Sequence, residues 1–115
     1  MIIDWSRVRV FVKPGPTDMR KQINGLSMLV CEDLQMDIFE GSLFLFCNKH
    51  KRILKIIYWD RNGFCLWLKR LEKDKFPWPA SRAEAVEISQ EQFGFLLQGI
   101  DFWNAHKKLD YNKVS

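Results

Sequence analysis

Apolar and polar positions along this chain follow three different rhythms, and each predicts a different kind of element. "RVRVFVK" (residues 7–13) alternates with period two. That spacing predicts a half-buried strand with Val8, Val10 and Val12 facing in and Arg7, Arg9, Phe11 and Lys13 facing out. "PGP" at 14–16 is expected to end it, because proline offers no ladder donor and glycine permits a turn. Met19, Ile23, Leu26, Leu29, Val30 and Leu34 then recur every three or four residues. They predict an amphipathic helix over about 18–36, with Thr17 as its N-cap and Asp18 suited to the helix dipole. Gly25 within it reads either as a site of close packing against a strand or as a kink.

The third rhythm belongs to strands. "SLFLFC" (42–47) is apolar on both faces and predicts a central strand. "RILKIIYW" and "FCLWLKRL" flank Asn62-Gly63, a dipeptide suited to a hairpin turn. A two-residue loop there pairs Arg61 with Phe64, Tyr58 with Trp67, and Lys55 with Arg70. A four-residue loop over 60–63 shifts that register. "FPWP" (76–79) predicts a rigid segment outside the ladder, and "AVEIS" (85–89) a short edge strand. Ser89 with Gln92 forms a capping box, opening a helix whose inner face carries Phe93, Leu96, Leu97 and Ile100. Gly99 lies near its end. The tail beyond Asp101 is polar and prone to fray, although Phe102 and Trp103 favour cover. The order β-α-β-β-β-(β)-α indicates a single α+β domain with a mainly antiparallel sheet, its core over about 7–102.

Composition fits that picture. A chain of 115 residues, 47% apolar and 28% charged, has enough core to fold as one soluble domain without disulfides or a metal. The start lacks the apolar run of a signal peptide, and no stretch approaches the ~20 apolar residues of a membrane span. The protein is therefore expected in the cytoplasm and away from membranes. Cys31, Cys47 and Cys65 are widely spaced and read as small buried hydrophobes, so neither a metal nor another cofactor is expected.

Charge alters the picture most. The chain carries +4 overall, yet residues 49–75 hold nine basic residues against three acidic ones, a local +6, which leaves −2 for the remainder. On a hairpin, Lys49, Lys51, Arg52, Lys55, Arg61, Lys69 and Arg70 can contact phosphates while Tyr58, Trp59 or Trp67 stack on bases. Ordinary solvation of an amphipathic sheet would demand the same residue types. Arg20 and Lys21 stand at the predicted helix start, where cations oppose the dipole. Either an anion is held there or Asp18 compensates. Asp18, Asp60, Glu72 and Asp74 have no fixed mutual spacing, and no nucleophile elbow, metal-protease motif or glycine-rich phosphate loop is present, so an enzyme is not expected. Five Trp and nine Phe are a heavy load for one small core and leave room for an exposed apolar patch.

Taken in order, these pieces resemble a known family. Thr17-Asp18-Met19-Arg20-Lys21, Gly25-Leu26, Gly41 with Leu43-Phe44, Lys55-Ile56, Tyr58-Trp59-Asp60, Gly63, Leu66-Trp67, Lys69-Arg70-Leu71-Glu72 and Trp78-Pro79 are similar to the short accessory protein of insertion-sequence-66 class mobile elements. This is the TnpB or second-open-reading-frame type, unrelated to the RNA-guided nuclease of the same label. The resemblance covers about 7–102. Gln22-Ile23-Asn24 departs from it where similar proteins tend to end in Asp. The resemblance implies a protein that accompanies a separate, larger DDE-type transposase of the same element and is required for efficient transposition, with no assigned catalytic residues. Two expectations follow: non-specific DNA binding through the basic hairpin, or an adaptor role that assembles the transposase without touching DNA.

Overall fold

The computed structural model describes residues 5–103. Five strands form one sheet in the order β4-β3-β2-β1-β5, where β1 is Val10–Pro16, β2 Leu43–Cys47, β3 Ile53–Asp60, β4 Gly63–Arg70 and β5 Val86–Ile88. Only β1 and β2 run parallel; the other neighbours are antiparallel. Helix α1 (Ile23–Met28) lies in the β1–β2 crossover, and α2 (Gln90–Leu97) follows β5. The fold is therefore α+β, as the order of patterns indicates. Every residue of β2 is buried, as its two-sided apolar run requires.

Alternation sends the strands into two cores. Val10, Val12, Leu43, Leu45, Leu54 and Ile56 meet Phe93 and Leu96 of α2 on one face. Phe11, Phe44, Phe46 and Ile57 meet Leu26 and Val30 on the other. Phe11 is thus buried rather than outward, because the α1 segment covers that face and Phe11 packs beside Phe44 at 5.6 Å. Phe76 and Trp78 of "FPWP" join the α2-side core, each burial contributing roughly 2–3 kcal/mol.

The prolines do not end β1. The strand continues through Pro16, which pairs with Cys47 after an irregularity in register. Gly15 sits at φ +78, and a Cβ there would collide with Ser81. What the prolines withhold is supplied from outside the ladder: Gly15 N–H donates to the Pro79 carbonyl at 3.0 Å. The Trp78 indole N–H donates to the carbonyls of Lys13 and Gly15 at 3.0 and 3.1 Å.

The first helix is shorter than its periodicity suggests. It starts at Ile23, not at 18, and widens over Leu29–Asp33, where the Leu34 N–H reaches the carbonyl of Leu29. Thr17 caps nothing. Its N–H bonds Cys47 in the sheet, and its buried hydroxyl has no hydrogen-bond partner. Asp18 instead accepts from the Arg20 N–H, a local turn that competes with helix. Gly25 packs closely against the preceding loop and not against a strand, since a Cβ there would meet the stem of Lys21 at 3.1 Å.

The hairpin closes one step earlier than Asn62-Gly63. Asp60 pairs with Gly63 and Trp59 with Phe64, so Arg61 and Asn62 make the turn, with Arg61 at φ +51. Compared with the two-residue Asn-Gly loop, the register moves by two, so every side chain keeps its face. Lys55 accordingly lies opposite Leu68, and Ile53 opposite Arg70; the repulsion between Lys55 and Arg70 does not arise.

The second helix is as its pattern reads. Ser89 and Gln92 form the reciprocal capping box. Gly99 at φ +76 ends the helix, with the Gly99 and Ile100 N–H groups bonding the carbonyls of Leu96 and Phe95. Ile100 leaves the core as a result and is 46% exposed. Phe102 is buried, and the Trp103 indole donates to Pro77. Cys47 is buried, Cys65 half-buried and Cys31 exposed, so the last is not a core residue. The expected frayed tail falls almost entirely outside the described residues.

Candidate nucleic-acid interface

The cations gather at the open end of the β3–β4 hairpin. The link from β2 to β3 is a tight turn organised by Asn48, whose side-chain oxygen accepts from the N–H groups of Arg52 at 2.9 Å and Ile53 at 3.1 Å. Lys51 takes φ +62 within it. The turn holds Lys49, His50, Lys51 and Arg52 in solvent. It is also tied to the segment after β4: Leu71 N–H bonds the Arg52 carbonyl, and Phe76 N–H bonds the Lys51 carbonyl, both at 2.8 Å. These two bonds bring Lys75 alongside.

A cleft of about 670 Å3 lies between the two segments, lined by Asn48, His50, Arg52, Ile53, Arg70, Leu71, Glu72 and Lys75. Glu72 is the carboxylate in its lining. It accepts from Arg70 at 2.9 and 3.1 Å, while the Arg52 guanidinium donates to its backbone carbonyl at 3.1 Å. Both guanidinium groups remain exposed. Such an arrangement presents several planar and point cations to an extended polyanion, with one carboxylate to set their angles.

The residues singled out in the sequence divide sharply. Arg52 and Arg70 line the cleft, and Lys49 and Lys51 stand exposed in the adjoining turn without lining it. Lys55 does not: it is 3% exposed, and its ammonium donates to the carbonyls of Met19 and Lys21, each at 2.8 Å, and to the Gln22 side chain at 3.4 Å. It belongs to the fold and is withdrawn from any ligand. Lys69 points to the opposite face and donates to the Leu97 carbonyl at the end of α2, where a cation suits the helix dipole. Arg61 is at the hairpin turn, eight residues beyond Ile53 and roughly 26 Å away.

Arg20 and Lys21 are exposed on the loop that leaves β1 beside Cys47 and passes over Lys55. No helix N-terminus stands behind them, because α1 starts later. The Arg20 guanidinium grips Asp18 at 2.7–3.1 Å. Its hydrogen bonds hold the Asp18 carboxyl down at about 2. Compensation by Asp18, the second of the two readings, is what the geometry contains.

None of the aromatic residues considered for stacking lines the cleft. Trp59 lies toward the turn, edge-on to Phe39 and Phe64 at 5.0 Å. Tyr58 and Trp67 face α2 around an apolar cavity of about 360 Å3. Charge counting alone does not pick out His50 and Asn48 as site residues. The signal for them is the spacing of Asn48 before Arg52 and Ile53, which an Asx-type turn exploits. Among the described residues, no cluster of His, Cys, Asp and Glu could hold a metal.

The order of elements and the placement of these motifs define a compact sheet domain with a cationic end, and the comparisons say which group it belongs to. Residues 8–107 match the family described as IS66 Orf2 like protein, and the chain belongs to that family. Two proteins of Sinorhizobium fredii are similar along nearly their whole lengths. The uncharacterized protein y4hO is 38% identical over 102 residues, covering 89% of each chain. The uncharacterized protein y4jC is 37% identical over 101 residues, 88% of this chain and 86% of its own. No solved structure matches. Family membership associates the chain with IS66 transposition in an accessory capacity.

Proposed function

We propose that the protein serves IS66 transposition without catalysing a reaction, by binding DNA non-specifically through the open end of the β3–β4 hairpin. It would work in the cytoplasm beside the element's own DDE transposase. One observation carries the reading: Arg52, Arg70 and Lys75 are drawn from two separate segments to one cleft, Lys49 and Lys51 stand exposed in the turn that adjoins it, and Glu72 is the carboxylate lining it. Simple solvation would spread them, as it does Arg61 at the far turn.

The contacts would be to phosphates, with little base readout, because no aromatic lines the cleft. With about four or five phosphate contacts, log K should fall against log salt with a slope of roughly −4, and affinity at physiological salt should be on the order of micromolar or weaker. Anisotropy of labelled duplexes of unrelated sequence measures both. Arg52→Ala with Arg70→Ala should reduce the slope by about two and weaken every duplex alike. Glu72→Gln should tighten binding. Absence of salt-dependent binding at low ionic strength, or a double variant as tight as wild type, would overturn the reading.

A further inference from the structure

At the other end of the hairpin lies an apolar groove, and we propose that it is the docking site for a cationic amphipathic helix of a partner protein. The groove has a volume of about 760 Å3 and is formed by Met28, Cys31, Met36, Phe39 and Phe64 between the α1 segment and the hairpin. Met28 and Phe39 are 54% and 59% exposed and line the same groove, so their apolar surface is contiguous rather than scattered. Phe39 is not loose. Asp37 accepts from its N–H at 2.9 Å, and its ring rests edge-on against Trp59 at 5.0 Å and tilted on Phe64 at 5.8 Å. A fixed aromatic wall thus faces two flexible thioethers, a combination that accepts an apolar helix face and adjusts to its side chains.

Charge identifies the occupant. Residues 28–40 carry Glu32, Asp33, Asp37 and Glu40 and no cation, while Glu32 and Asp37 line the groove itself. A helix with leucine-like residues at i, i+3, i+4 and i+7 and lysine or arginine on its flanks satisfies both halves. An anionic partner such as DNA is repelled here. Phe64 and Arg70 lie six residues apart on β4, roughly 20 Å, so groove and cationic cleft can be filled together. The proposal does not depend on DNA binding.

The probe is a labelled peptide of about 18 residues, leucine on one helical face and lysine on the other, titrated by anisotropy against the full chain. Saturable binding is expected, with a loss of about tenfold or more for Met28→Ser and for Phe39→Ser. Glu32→Lys should weaken binding similarly, and a peptide with glutamate in place of lysine should bind at least about tenfold less tightly. Thermal melts establish that each variant is folded; Met28 is exposed, so its variant keeps the core. Arg52→Ala with Arg70→Ala should leave peptide binding unchanged, and the charge-neutral variants Met28→Ser and Phe39→Ser should leave DNA binding unchanged, so either reading can fail alone. No binding by wild type, or equal binding by both groove variants, would overturn the proposal. A dimer in light scattering that Phe39→Ser converts to monomer would also overturn it, by making a second copy the occupant.

Discussion

The Lys55 ammonium donates to the Lys21 carbonyl at 2.8 Å from a position that is 3% exposed. A cation on the central part of β3 thus pins the loop that precedes α1, with the Met19 carbonyl as its second anchor. Lys55→Met keeps the apolar stem and removes the three donors, leaving two carbonyls without their partner. It should cost about 2–4 kcal/mol and lower the urea midpoint correspondingly. An unchanged midpoint would mean that the loop holds without the lysine.

The hairpin turn gives an opposite pair of expectations. Gly63 has an ordinary φ and open space where a side chain would begin, whereas Arg61 stands at φ +51. Gly63→Val should therefore change stability by less than about 0.5 kcal/mol, despite the glycine. Arg61→Gly should stabilise by up to about 1 kcal/mol by relieving the left-handed conformation. Chemical denaturation of the two variants compares them directly. A large loss in Gly63→Val would restore Asn62-Gly63 as the turn.

Asp18 supplies a pH dependence. Its carboxyl is depressed from 3.8 to about 2, first by the side-chain hydrogen bonds of Arg20 and then by the Arg20 backbone N–H. A depressed carboxylate stabilises the fold above its unfolded value, and that contribution is lost as pH falls from about 4 through about 2. Carboxyl NMR titration should give a midpoint near 2, and Arg20→Ala should raise it toward 3.8. A wild-type midpoint of 3.8 would show that the pair does not form in solution.

The cysteines should separate by reactivity. Burial pushes the Cys47 thiol up to about 12, and Cys31 is exposed. With iodoacetamide at pH 8, mass spectrometry should find Cys31 modified first and Cys47 protected until the protein is denatured. Early labelling of Cys47 would contradict a closed α2-side core.

Strands proved easier to read than the places where they turn. The two-sided run of β2, the edge strand at 86–88 and the Ser89 capping box follow from local chemistry alone, and all are present. What escaped was settled by tertiary partners. Periodicity extends α1 back to 18, but Asp18 makes its own turn and Lys55 claims the carbonyls of residues 19 and 21. "PGP" reads as a stop, yet Trp78, more than sixty residues away, bonds the carbonyls of Lys13 and Gly15. Charge counting locates the basic region correctly in sequence. It could not show that Lys55 is buried or that Lys69 turns to α2, because a shared face depends on register and on what covers it.

The position of β1 in the sheet governs the order in which the domain can be built. β3 and β4 are adjacent in the chain, so their pairing closes a short loop at little entropic cost. β1 leaves the ribosome long before its outer neighbour β5, and the Arg9–Glu87 ion pair joins positions 78 residues apart. Until Val86–Ile88 and α2 emerge, one edge of β1 and the apolar face carrying Val10, Val12 and Leu45 are bare. A nascent chain halted before residue 85 would thus be adhesive rather than merely incomplete, and productive folding has to await β5 and α2.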